Sequence, residues 1–229
     1  MAPSPRRRVV LGSPVSRQRR PTASGARSFS EIPDILEGIT PDRRFGTYFE
    51  KNSGRLFDEL VLTCDRMRFE PTDLVAIGML SVSLHPEGVR TLLLDRDFGA
   101  QCSRLLREIP TDLALADCSA DVISPGSAAN ELWKLLRTLK GAQTGVTVIS
   151  KLMAAKRPLL FPVWDARVER IIKRPDGRVW EPMHTLVSDS HTLERLQRLT
   201  AAAPAHVGLL RRIDVALWRH AQLKPTPLP

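Results

Sequence analysis

The sequence predicts an all-α protein built as a single helical domain. Apolar residues recur at helical spacing in several segments, as in Leu132, Leu135, Leu136 and Leu139 behind the helix-starting Ser127. No segment shows the sustained alternation of apolar and polar residues that is typical of a half-buried strand. Because proline and glycine separate the helical segments, we expect helices packed around one core.

The clear helical patterns begin after Pro71. Pro86 opens the second of them. Before residue 72, short apolar pieces are broken by proline and glycine. The aromatic residues around Tyr48 either stack on nucleic-acid bases or pin this segment onto the core. Outside the central stretch described below, helices are predicted at 72–80, 86–95, 98–108, 127–139, 178–188, 190–199 and 205–220.

Composition bounds the domain organisation. The 229 residues, 42% of them hydrophobic, suffice for one globular domain, which we place at 31–223. Residues 1–30 are rich in arginine, proline and serine and are predicted to be a disordered tail, and 224–229 a frayed end. We find neither an apolar run of the roughly 20 residues that span a bilayer nor a signal-peptide pattern. We therefore expect no membrane partner and a cytoplasmic location.

Motifs for cofactors and metals are missing from the sequence. It contains no GxGxxG, phosphate-binding loop or GxSxG, and its histidines and cysteines lack metal-ligand spacing. We expect no cofactor and no metal site. The widely spaced Cys64, Cys102 and Cys118 are interpreted as small buried residues in a reducing compartment.

Positive charge is concentrated in two places. The net charge is +9, and seven of these charges come from arginines in residues 1–30. These arginines either contact nucleic acid or form an incidental extension. Residues 137–174 hold nine bases against only Asp165 and Glu169. Since the rest of the body is net negative, the second cluster indicates a polyanionic partner such as DNA.

Residues 139–170 contain the candidate site. The pattern indicates a helix end, a tight turn at Gly145, a second helix ending before Pro158, an extended link through Pro162, and a third helix opened by Asp165. Amides at the start of the second helix can bind a phosphate, and nearby bases can add contacts. The predicted nucleic-acid-binding residues are Gly145, Thr147, Lys151, Lys156, Arg157, Arg167 and Arg170.

Asp165 is the candidate catalytic residue. A carboxylate held at a fixed distance from a bound phosphate backbone can stabilise an oxocarbenium-like sugar and orient a water, as cleavage of a glycosidic bond requires. Other interpretations stay open. In one, Asp165 is a helix N-cap and has no catalytic role. In another, Lys156 and Arg157 form a solvated helix end. Gln143 is either a specificity residue or part of the loop surface.

Two resemblances bear on function. The chain contains PTDLVAIGMLSV, REIPTDLALAD, PGSAANELWKLLRTL, SKLMAAKRPLLFPVWDARV and LRRIDVALW. On these segments, most of residues 45–220 resemble an uncharacterised actinobacterial family of cytoplasmic proteins, which brings no known activity. The central block is similar, more distantly, to the helix-hairpin-helix DNA glycosylase superfamily. There an LPGVG-type hairpin is followed by a catalytic aspartate at the interval that separates Gly145 from Asp165, and Val168 and Arg170 fit the helix that follows.

The chain departs from the glycosylase pattern within the hairpin. Residues 141–145 read GAQTG, so the proline and the first glycine are absent. Thr147 stands where lyase-competent members have a Schiff-base lysine, which excludes an imine mechanism at that position. A hairpin of this kind can keep the fold without binding phosphate.

Three functions follow from these observations. The first is a helix-hairpin-helix-like DNA-binding protein related to DNA glycosylases, with catalysis unproven. One alternative is a monofunctional base-excision glycosylase that uses Asp165, which would extrude a base to reach its glycosidic bond. The other alternative is a protein-interaction or regulatory module that keeps only the fold.

Overall fold

The computed structural model describes residues 26–139, 145–173, 175, 178 and 180–223. Within them, extended pairing is limited to one parallel bridge between Arg27 and Ile172, so the all-α prediction is confirmed. In the part of the chain so described, no helix is long and apolar enough to cross a membrane. The α-helices are α1 (Ile32–Glu37), α2 (Pro41–Arg44), α3 (Tyr48–Lys51), α4 (Arg55–Leu60), α5 (Pro71–Met79), α6 (Pro86–Leu94), α7 (Arg96–Glu108), α8 (Ala128–Arg137), α9 (Val146–Lys156), α10 (Trp180–Val187), α11 (Ser190–Leu199) and α12 (Leu209–Leu223). Short 3-10 helices lie at Phe29–Glu31, Ala120–Val122 and Val168–Arg170.

Local capping rules explain where the middle helices begin. Pro71 and Pro86 occupy the first turns of α5 and α6, where a missing amide hydrogen costs nothing. The Asp95 side chain accepts hydrogen bonds from the amides of Asp97 and Phe98 at the start of α7. The predicted cap at Ser127 is also confirmed, since its hydroxyl accepts from the Asn130 amide at 3.2 Å.

Helix α9 is the centre of the fold. It packs against α5 and α8, and every residue from Val148 to Lys156 is buried. A helix that is buried all round is usually apolar, yet this one contains Lys151 and Lys156. Their charges must therefore be met by partners inside the protein.

The packed body begins before residue 31. Phe29 is buried and stacks on Trp164, with ring centroids 5.7 Å apart. The Arg27 amide donates to the Ile171 carbonyl at 2.9 Å, and the Lys173 amide donates back to the Arg27 carbonyl at 2.7 Å. Residues 26–30 thus belong to the body and not to the tail to which the sequence analysis assigned them. Residues 1–25 and 224–229 lie outside the described residues.

The short helices α2–α4 contact α12, whereas α1 packs against α11. Tyr48 is buried, and its ring meets Trp218 edge to face at 5.7 Å between centroids. Gly54 lies against the Tyr48 hydroxyl so closely that a Cβ on Gly54 would sit 2.0 Å from the oxygen. Of the two interpretations of the aromatic residues around Tyr48, the packing one is confirmed for Tyr48 itself.

Candidate functional site

A cavity of about 470 Å³ opens beside Asp165 and is called the Asp165 cavity below. It lies where the loop after α5, the start of α9, the link before Val168–Arg170, and α12 meet. Ser81, which lines it, has a φ of 60°, a strained backbone conformation for a non-glycine residue and one that concentrates at functional sites. Its polar and aromatic lining includes Tyr48, Ser53, Thr147, Lys151, Asp165, Arg167, Arg170, Arg211, Asp214 and Trp218.

The Lys151 side chain projects from α9 to Asp165. Its Nζ lies 3.0 Å from Asp165 Oδ2 and donates a second hydrogen bond to the Leu80 carbonyl at 2.9 Å. The Lys151 side chain is 1% exposed, whereas that of Asp165 is 19% exposed. The other carboxylate oxygen, Oδ1, accepts the Arg167 amide at 2.8 Å. Asp165 is therefore an oriented carboxylate that still reaches the cavity.

The position of Asp165 is set by the residue before it. The Trp164 amide donates to Ser150 Oγ at 3.1 Å, and that hydroxyl lies 3.0 Å from the Thr147 carbonyl, to which it donates. The Trp164 indole donates to Glu169 Oε1 at 2.9 Å. Together with the stacking of Phe29, these contacts hold the link against α9.

The α-helix predicted to open at Asp165 does not form. The Asp165 carbonyl accepts hydrogen bonds from the amides of Val168 and Glu169, and only a 3-10 helix follows. The turn ends there because the backbone of Ile171 and Lys173 pairs with Arg27 instead of continuing a helical ladder. The interpretation of Asp165 as a cap holds locally, but the residue also has the ion pair with Lys151.

Lys156 and Arg157 lie in the core, which corrects their assignment as phosphate contacts or as a solvated helix end. The ammonium of Lys156 pairs with Asp73, and both side chains are fully buried. Arg157 is also fully buried, and its guanidinium donates to the carbonyls of Leu106 and Ile109 at the end of α7. Burial lowers the pKa of Arg157 to about 10, so it stays charged at neutral pH. A cation placed at a helix C-terminus stabilises that end.

The other predicted residues lie near the cavity. Thr147, Lys151, Asp165, Arg167 and Arg170 line it, with the two arginines exposed. In Lys151, however, every contact that the structure shows for the ammonium is internal, so its assignment as a surface phosphate contact is corrected to that of a buried partner of Asp165.

Gly145 caps the start of α9. Its φ of −89° is open to any residue, and a Cβ would meet nothing within 4 Å, so this position does not require the conformational freedom of glycine. The hairpin turn that the sequence predicts at 140–144, including Gln143, lies outside the described residues.

A second charged cluster, missed by the sequence analysis, forms the wall of the cavity on α12. Arg211 donates to Asp58 at 3.0 Å, to Asp214, to the Tyr48 hydroxyl at 2.7 Å and to the Gly54 carbonyl at 3.0 Å. Burial raises the pKa of Asp214 to about 6, with Arg211 opposing the shift. A signal was present in the sequence, because Arg211 and Asp214 interrupt the apolar face of an otherwise amphipathic helix.

A larger cavity of about 620 Å³ lies beside Phe29 and Thr192. Its lining is mainly apolar, and its charged residues are Lys173 and Asp189. Among the described residues, no group of three or more His, Cys, Asp or Glu side chains is placed to hold a metal ion. The Asp165 cavity is the better candidate because it combines an oriented carboxylate with buried and exposed basic side chains.

Comparison with known families identifies the chain. A family model, described as a family of unknown function, matches residues 42–221. The chain belongs to the DUF6308 family. No curated protein and no solved structure matches it. The matched range of this DUF6308 chain covers the whole lining of the Asp165 cavity, from Tyr48 to Trp218.

Proposed function

We propose that this DUF6308 chain binds DNA at the Asp165 cavity, as a helix-hairpin-helix-like protein related to DNA glycosylases. One observation supports the proposal above the others. Asp165, oriented by the buried Lys151, faces a cavity flanked by the exposed Arg167 and Arg170. Arg167 and Arg170 form the rim of the cavity, which can bind phosphate, and the interior of the cavity is polar.

The rim has the chemistry that a phosphate backbone requires. Arg167 and Arg170 are exposed cations on the turn that follows Asp165. The hydrogen-bond ladder of α9 starts with the amides of Val148 and Ile149, which both donate to the Gly145 carbonyl. The amides before them have no acceptor within the helix and lie at its positive end.

The interior has the size and polarity that suit an extruded nucleobase. Small-molecule pockets typically measure about 300–1,000 Å³, a range that includes this cavity of about 470 Å³. Trp218 adds an aromatic ring to the lining, and Arg167 makes a cation–π contact with it at 5.3 Å from the ring centroid. A flat heteroaromatic ring is compatible with such a lining.

The oriented carboxylate favours base excision as the second function. An ionised Asp165 would stabilise positive charge on the sugar as the N-glycosidic bond breaks and its electron pair leaves with the base. Water would then add to the anomeric carbon, and its proton would balance the charge on the departing base. Because Thr147 replaces the imine-forming lysine of the glycosylase pattern, this would be hydrolysis without a covalent intermediate at that position.

The test of DNA binding is a salt titration with a charge-reversed rim. We expect Arg167→Glu/Arg170→Glu to weaken binding to duplex DNA and to reduce the slope of log affinity against log salt by about 2, one for each lost phosphate contact. The matched control is Arg90→Glu/Arg104→Glu, which changes net charge equally at exposed residues of α6 and α7 away from the cavity.

The same titration is repeated on a shortened chain that begins at Ala26, because residues 1–25 contain six arginines that could bind DNA by themselves. Equal slopes for the rim variant and its control would overturn the assignment of the rim. If the shortened chain does not bind DNA, the protein-interaction module is favoured. Base excision is tested by release of damaged or mismatched bases from duplex DNA, which Asp165→Asn should abolish.

A further inference from the structure

The basic rim of the Asp165 cavity continues along the chain past Arg170. Arg167, Arg170 and Lys173 follow one another at three-residue intervals, and all three are exposed. Val168–Arg170 is a 3-10 helix, which has three residues per turn, so Arg167 and Arg170 lie on the same face of it. Lys173 is outside the lining of the cavity. The exposed cations therefore extend beyond the rim.

The N-terminal part of the body adds a fourth cation at the end of this series. Arg27 forms the parallel bridge with Ile172, and its carbonyl accepts the Lys173 amide at 2.7 Å. Because only backbone atoms make this pairing, the Arg27 side chain remains exposed. The exposed cations Arg27, Arg167, Arg170 and Lys173 are called the basic row below.

The direction of the bridge determines from which side the preceding residues enter the body. In a parallel bridge, the residue before Arg27 lies alongside the residue before Ile172. Ala26 is therefore on the side of Ile171 and Arg170, towards the rim of the cavity. Residues 1–25, which contain six arginines and no acidic residue, connect to the body at this point.

The arginines nearest to Ala26 are within reach of DNA that is held at the rim. Arg20 precedes Ala26 by six residues, a chain length of at most about 20 Å, and Arg17 precedes it by nine residues, at most about 30 Å. Each strand of duplex DNA carries a phosphate about every 3.4 Å. These arginines can therefore contact phosphates that adjoin those bound by the rim.

We propose that DNA bound at the rim of the Asp165 cavity continues across Lys173 and Arg27, and that the arginines of residues 1–25 contact the adjoining phosphates of the same duplex. This inference rests on the proposed function, because it takes the ligand at the rim to be DNA. It adds the path of the phosphate backbone beyond the cavity. It also gives the arginine-rich segment a part in binding, by contacts that hold the duplex without reading its sequence.

The first test reverses the two cations of the basic row that lie outside the cavity. Arg27→Glu/Lys173→Glu is titrated with salt in the full-length chain, on an undamaged duplex of about 20 base pairs, which is roughly 70 Å long. We expect the slope of log affinity against log salt to fall by about 2, one for each lost phosphate contact. The matched control, Arg90→Glu/Arg104→Glu, should keep the wild-type slope. Both changes are at exposed positions, and thermal melts verify that the variants fold.

The second test neutralises the arginines nearest to the bridge. Arg17→Gln/Arg19→Gln/Arg20→Gln in the full-length chain should lower the same slope by about 3. Its matched control, Arg90→Gln/Arg104→Gln/Arg107→Gln, removes equal charge from exposed positions of α6 and α7 and should leave the slope unchanged.

The third test asks whether the rim and the arginine-rich segment hold one duplex or two. Wild-type chain is mixed with equal amounts of donor-labelled and acceptor-labelled duplex, and energy transfer between the labels is measured. A chain that holds a single duplex along the basic row should give no transfer. A segment that binds a second duplex would bring the two labels together.

The outcomes separate this inference from the proposed function. If either variant has the slope of its control, or if the chain brings two duplexes together, the inference is overturned while rim-dependent DNA binding stands. If the wild type binds no duplex, or if Arg167→Glu/Arg170→Glu also has the slope of its control, the proposed function fails as well.

Discussion

The ammonium of Lys151 lies 3.0 Å from the carboxylate of Asp165, and the two partners are unequally buried. The lysine side chain is 1% exposed and the aspartate 19% exposed. An ammonium left alone at the lysine position would have very little contact with water, whereas a carboxylate left alone at the aspartate position would stay partly hydrated. Removing the two partners should therefore have different effects on stability.

We predict that Asp165→Ala lowers the free energy of unfolding by about 3 kcal/mol, because it leaves the buried ammonium of Lys151 without its carboxylate partner. Lys151→Met should cost less, since Asp165 keeps its bond from the Arg167 amide and partial hydration. The double variant should be more stable than Asp165→Ala alone. Denaturant unfolding of all four proteins measures this, and strictly additive losses would contradict it.

Charge reversal in the core should unfold the protein and not merely weaken a binding surface. We predict that Lys156→Ala lowers the free energy of unfolding by about 3–5 kcal/mol, because Asp73 is left as an uncompensated buried charge. Lys156→Glu/Arg157→Glu should abolish cooperative thermal unfolding, whereas Arg167→Glu/Arg170→Glu should melt close to the wild type. Circular dichroism distinguishes the two cases, and a folded core variant would refute the buried assignment.

The contact between Gly54 and Tyr48 predicts a sharp difference between two glycine substitutions. Gly54→Ala should destabilise the protein by about 1–3 kcal/mol, because its Cβ would sit 2.0 Å from the Tyr48 hydroxyl oxygen. Gly99→Ala in the interior of α7 meets nothing within 4 Å and should stabilise by about 0.5–1 kcal/mol. Thermal melts of both variants measure the difference, and a neutral Gly54→Ala would contradict the tight contact.

Stability should depend on pH through Asp214. Its pKa is raised from 3.8 to about 6 by burial, opposed by Arg211 and Lys151 and reinforced by Asp165. Between these values the folded state keeps a proton that the unfolded chain releases, so the free energy of unfolding falls as the pH rises through this window. The expected fall is on the order of 2–3 kcal/mol.

The effect is isolated by comparing variants. Asp214→Asn should lack this fall in urea unfolding measured from about pH 4 to about pH 7, because its amide does not titrate in the window of the raised Asp214 pKa. Asp97→Asn, at an exposed position of α7, should keep it. Identical pH profiles for wild type and Asp214→Asn would contradict a raised pKa at this position.

Local signals were enough to predict most helices. The cap at Ser127 and the prolines at the starts of α5 and α6 act within one turn, so neighbouring residues reveal them. The helix expected after Asp165 failed because the backbone of Ile171 pairs with Arg27, far away in sequence. No pattern within the segment reports such a contact.

The sequence by itself determined the fold class and the positions of helices α5 to α12, because periodicity and capping are local. Only the tertiary structure decided where the charges lie. Lys156 pairs with Asp73 at a separation of 83 residues, and Arg211 pairs with Asp58 at a separation of 153. A lysine or arginine looks the same in sequence whether its side chain faces solvent or a buried carboxylate. The two environments differ only once packing removes water from the side chain.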